Sequence, residues 1–221
     1  MAHESRSVQG IWWAAMLLGI SYMLPVLADW NGPLISAWKG SCVGMLAVWA
    51  GMYARDAVGW MFTAILAIGA VGDVVLDFQG LKAGAVLFVT AHILSCIFYL
   101  RHRRAVLTMS QRLFAIALPP GVALTSWAIT APVSPDWPLA VGYATVAALM
   151  AAFAWTSRFP RYRTGIGAIA FVLSDLAIFA GEAGLLPPEL RRVSVWPLYF
   201  GGQALIAWGV VTTLAKERAG S

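Results

Sequence analysis

The sequence predicts an all-α integral membrane bundle of eight transmembrane helices, on three observations. Of its 221 residues 60% are hydrophobic and only 11% charged, where a soluble domain carries about 25% charged residues. Eight apolar stretches approach the roughly 20 residues that a bilayer-spanning helix needs. The connections between them are short, which leaves no material for a soluble domain. The chain therefore reads as one membrane-embedded domain over residues 1–221.

The spans are expected near residues 10–28, 34–54, 60–78, 82–100, 113–130, 137–157, 164–182 and 195–215. The first follows Arg6 like a signal peptide, but it is longer than a usual h-region and has no A-x-A cleavage site. The Pro119-Pro120-Gly121 run inside the fifth is expected to kink or break it. The stretch "EAGLLPPELRRVSVWP" (182–197) is expected as the longest outward connection. Trp12, Trp13, Trp30, Trp60, Trp127, Trp137, Trp155 and Trp196 fall near span ends, as an interfacial belt requires.

Charge orients the bundle. Connections on one side carry Arg6, Arg55, Arg101, Arg103, Arg104, Arg112, Arg158, Arg161, Arg163, Lys216 and Arg218, and the other side only Lys82, Arg191 and Arg192. By the positive-inside rule both termini are expected in the cytoplasm, and the pattern suits a bacterial inner membrane. The net charge of +5 is thus spent on topology, and no nucleic-acid partner is expected. Cys42 and Cys96 lie in apolar segments without the spacing of a disulfide or a ligand set, and no metal or cofactor is expected. The third and seventh spans resemble each other around Gly72-Asp73 and Ser174-Asp175, which suggests two four-helix halves in a parallel repeat.

The polar residues inside the spans carry the functional signal. A charged side chain at a helix centre costs about 2.5–3.5 kcal/mol on insertion scales, and packing gives no return for it. Asp73 and Asp175 meet that condition. Lys39, Tyr143, Tyr199 and Gln203 fall at similar depths, His92 lies near mid-membrane, and Asp77 and Glu182 mark the rim. The plainer readings are an ion pair between the aspartates and Lys39, interfacial placement of the two tyrosines, hydrogen-bonding glue at Gln203 and Ser174, and a helix-end charge at Asp77. The cytoplasmic half is nearly all apolar, which suggests a cavity open to the outer leaflet.

In order and spacing, "AWKGS" (37–41), "GDVVLDF" (72–78), "TAHILSCIFY" (90–99), "FVLSDLAIF" (171–179) and "LYFGGQALI" (198–206) resemble the YhhN-type family of multi-pass membrane proteins, which includes the lysoplasmalogenases. The chain departs from the family pattern at Gly40, where Pro is usual, and at Ser95, where Tyr is frequent; Tyr99 is the substitute one turn on. The resemblance implies hydrolysis of the vinyl-ether bond of lysoplasmalogens to a fatty aldehyde and glycerophospho-ethanolamine or glycerophospho-choline, with a lysophospholipid as the partner within the bilayer. That reaction needs a proton donor and a group opposing an oxocarbenium-like charge, as glycosidases do, and a carboxyl pair can supply both. Asp73 and Asp175 are the expected couple, with Lys39 and His92 assisting catalysis and Tyr143, Tyr199, Gln203 and Asp77 binding substrate. Arg191 and Arg192 are placed to meet a headgroup. A proton-coupled transporter, built on the same intramembrane Asp, His and Lys, is the alternative, and a non-catalytic lipid-binding protein is a third reading.

Overall fold

The computed structural model describes the backbone of residues 2–220 and the side chains of residues 9–220. Arg6, which contributes to the orientation argument, lies outside the described side chains. The helices run in chain order as α1 (Ala2–Ser21), α2 (Met23–Ala28), α3 (Pro33–Tyr53), α4 (Ala57–Gln79), α5 (Leu81–Arg101), α6 (Met109–Thr130), α7 (Trp137–Thr156), α8 (Ile166–Glu182) and α9 (Pro188–Ala219), with a π-helical turn at Arg161–Gly165 leading into α8. Among the described residues eight spans are long and apolar enough to cross a membrane, α1 and α2 together making the first.

Local chemistry sets the boundaries. Pro25 has no N–H to give the Ser21 carbonyl, and the first span is interrupted at Tyr22. Pro33 opens α3 at a position where its missing donor is harmless. Asp56 caps α4 by accepting from the Gly59 amide at 2.8 Å. Thr108 and Gln111 form a reciprocal capping box at the start of α6.

Three expectations are corrected. α6 runs unbroken through Pro119 and Pro120. α9 begins at Pro188, not near 195, so the connection after α8 is only residues 183–187. Gly184 turns that connection with φ of +71°, and the Leu185 and Leu186 amides return to the Ala180 carbonyl at 2.8 and 3.1 Å, a glycine-terminated helix end. Finally, Trp196 is not interfacial: it is 5% exposed and stacks on Phe200.

The chain divides into two compact units, residues 1–94 with 211–221, and residues 95–210. In the first, α3 packs against α4 and α1, around Cys42, Val43, Leu46, Phe62 and Leu66. Gly40 lets α3 approach closely, since a Cβ there would collide with Val74. The departure from the family's proline therefore sits at a tight helix crossing.

In the second unit α7 packs against both α6 and α8 and buries an alanine face that includes Ala144, Ala147, Ala148 and Ala151. Small side chains of this kind let helices pack closely where lipid supplies no hydrophobic drive. α8 and α9 come closer still. A Cβ on Gly167 would lie 2.5 Å from the Gly202 carbonyl oxygen, and one on Gly202 would lie 2.6 Å from that of Gly167.

Candidate functional site

Each unit buries one aspartate within a membrane span. In the first, Asp73 lies on α4 at 2% exposure, next to Gly72, whose bare backbone faces the Phe88 ring of α5. Asp77, one turn further along the same face, receives the Lys39 ammonium of α3 at 2.7 Å. The pair is partly shielded, with side-chain exposures of 15% for Lys39 and 24% for Asp77.

Lys39 thus pairs with the rim residue, where the plainer reading paired it with the deep aspartates. Helix geometry gives the reason. Cα–Cβ bonds lean toward a helix's N-terminus, so in this antiparallel hairpin Lys39 leans toward the end where Asp77 sits, and Asp77 leans back to meet it. The long lysine stem closes the remaining gap.

Two further groups join this set. Tyr22, at the break in the first span, lies within electrostatic reach of Asp77 and Asp73, and Cys42 within reach of Asp73. Tyr22 also meets Trp38 edge-on, with centroids 6.1 Å apart, and the Cys42 thiol donates to the Trp38 carbonyl at 3.2 Å. Sequence reasoning did not single out Tyr22. A depth count would have found it, since it lies six residues from the end of α2 as Asp73 does from the end of α4. His92, on α5 in the same unit, is 3% exposed.

In the second unit Asp175 lies on α8, and the Tyr143 hydroxyl of α7 donates to its carboxyl. The other carboxyl oxygen, Oδ2, is buried without a hydrogen-bond partner among the described residues. Buried polar atoms are almost always satisfied, so this oxygen is the one available to a water or a bound molecule. Tyr143 is held from its other side, its ring meeting Phe179, one turn beyond Asp175, edge-on at 6.1 Å.

The neighbours of Asp175 are fixed to α9. Ser174 donates to the Val195 carbonyl at 3.0 Å, the interhelical bond expected of it. Tyr199 is buried against Phe171, with ring centroids 5.1 Å apart, so it is a packed residue and not an interfacial one. Gln203, one turn after Tyr199, is also buried. At the end of α8, Glu182 pairs with Arg191 at 2.7 Å, and the Arg191 stem lies across Gly181. Arg191 is therefore a clamp on the α8–α9 connection. Cys42 and Cys96 are both free thiols.

Comparison with known proteins adds one assignment. No curated protein and no solved structure matches the chain. Residues 34–210 match the YhhN family, and that stretch holds Lys39, Asp73, Asp77, His92, Tyr143, Asp175, Tyr199 and Gln203, so this eight-span membrane protein belongs to the YhhN family.

Proposed function

We propose that the protein is a membrane-embedded hydrolase that cleaves the vinyl-ether bond of lysoplasmalogen-type lysophospholipids. The observation that carries the reading is the burial of Asp175 with one oxygen held by Tyr143 and the other unpartnered, in a chain whose other unit buries Asp73. Family membership supports it.

The chemistry asks for little else. A carboxylic acid protonates the alkenyl carbon beta to the ether oxygen and leaves an oxocarbenium ion. The second carboxylate opposes that charge, as in glycoside cleavage. Water adds to the cation and loses a proton, and the hemiacetal breaks its C–O bond to give the aldehyde and the glycerol hydroxyl. Asp73 and Asp175 take the two carboxyl roles, and Tyr143 positions Asp175. Lys39 fixes Asp77 one turn from Asp73, His92 relays a proton, and Tyr199 and Gln203 hold the substrate. The substrate reaches them from the bilayer, with both termini of the protein cytoplasmic.

The test is aldehyde release from 1-alkenyl-lysophosphatidylethanolamine by the purified protein in detergent, beside Asp73→Asn and Asp175→Asn. Aldehyde from the parent protein, abolished in both variants, is expected. Full turnover by both variants would sink the mechanism. No aldehyde from a folded sample, together with substrate-dependent proton flux in proteoliposomes, would favour a transporter.

A further inference from the structure

Outside the aspartate sites, the second unit has a basic face on the two connectors at the opposite end of its helices. The end of α5 and the α5–α6 connector contribute Arg101, Arg103 and Arg104, and the α7–α8 connector Arg158, Arg161 and Arg163. Neither carries a carboxylate. The unit's acids are Asp136, Asp175, Glu182 and Glu189. Asp136 lies at the far end of α7, and the others lie in the second half of α8 or beyond. At 1.5 Å per residue, the length of α7 puts Asp136 about 30 Å from this face.

Topology explains why basic residues collect in such loops, but it does not ask the loops to be joined. Here they are. Arg103 and Ser157 form an antiparallel bridge, the Arg104 amide donates to the Thr156 carbonyl at 3.2 Å, and the Arg158 amide donates to that of His102 at 2.8 Å. Phe159, fully buried, underpins the joint by stacking on Phe98, with centroids 5.4 Å apart. Arg101, Arg103 and Arg163 are exposed and make no ion pair among the described residues. Arg161 stacks on Tyr162, and Tyr162, Val106 and Met109 form an exposed apolar rim at 65%, 78% and 69%.

We propose that these joined connectors form a headgroup site for an anionic phospholipid of the surrounding leaflet. Guanidinium groups hold phosphate oxygens in fixed, paired geometry, and the apolar rim suits the acyl chains directly below a headgroup. A soluble anion would make no use of that rim. The site is remote from Asp175 and stands whether or not the hydrolase reading does.

Native mass spectrometry of the detergent-purified protein, titrated with phosphatidylglycerol or with phosphatidylcholine of the same chains, tests it. Preferential retention of phosphatidylglycerol is expected, and Arg101→Gln/Arg103→Gln/Arg163→Gln should weaken it on the order of a hundredfold, at about fivefold per side chain. These three side chains are solvent-facing, so the variant should keep the parent's melting temperature. A control outside this face, Lys82→Gln, should retain the lipid. Equal retention of both lipids by the parent, equal loss in the triple variant and the control, or displacement by inorganic phosphate alone would overturn the proposal.

Discussion

Replacing Lys39 with methionine should destabilise the protein, and replacing Asp77 with asparagine in the same background should cost less than it does alone. At the 2.7 Å separation, two unit charges attract by about 1.5 kcal/mol in bulk water and about 6 kcal/mol at an effective dielectric constant of 20. Desolvation takes back a large share of the second figure. Exposed pairs net about 0–1 kcal/mol, and removing one partner of a fully buried pair costs about 3–5 kcal/mol. With exposures of 15% and 24%, the pair falls between these limits, and each single variant should lose about 2–3 kcal/mol. For a chain of this length that is about 5–10 °C in melting temperature. Thermal unfolding in detergent of both single variants and the double variant gives the coupling, which should be about 1.5–2 kcal/mol. Single variants that melt with the parent, or a double variant whose loss is the sum of the two, would refute the ion pair as a fold-stabilising contact.

Tyr143→Phe leaves the Asp175 carboxyl without its phenol. Turnover should fall by about 10–100-fold with little change in KM, a split visible in steady-state kinetics of aldehyde release. Gly167→Ala places a methyl against the Gly202 carbonyl and should cost about 1–3 kcal/mol. Gly142→Ala points into open space and should be neutral or gain up to about 1 kcal/mol from helix propensity; thermal melts separate the two. Ser174→Ala, which loses the bond to the Val195 carbonyl, should cost only about 0.6 kcal/mol, the average for such bonds between membrane helices.

The spans were legible because one physical rule, a length of apolar chain matched to hydrocarbon thickness, dominates all others. Where the reading failed, a second rule outweighed a local one. Pro119 and Pro120 break helices in water, but an opened helix in lipid leaves several backbone groups unsatisfied, and α6 stays intact. The start of α9 was hidden by the polar run Glu189-Leu190-Arg191-Arg192, although Gly184 and Pro188 mark the helix end and helix start.

Lys39 shows the limit of depth counting. It lies 14 residues from the end of α3 at Tyr53, while Asp73 and Asp77 lie 16 and 20 residues from the start of α4 at Ala57. Counting selects Asp73 as its partner, and the lean of the side chains selects Asp77. The hydrogen bond from Tyr143 to Asp175 could not be read at all, because it depends on the rotation of α7 against α8. Matching depths placed both residues without pairing them.

The unequal lengths of the helices bear on which membranes suit this protein. α9 has 32 residues and spans about 48 Å, well beyond a hydrocarbon core of about 30 Å. It can slide or tilt with little cost as the bilayer thickens. α7 has 20 residues and is about 30 Å long, with no slack. A thicker bilayer draws its ends, Asp136 and Arg158, toward hydrocarbon at fractions of a kcal/mol per ångström of mismatch. α7 also carries Tyr143, so the acyl-chain length of the host membrane acts on the helix whose phenol holds the Asp175 carboxyl.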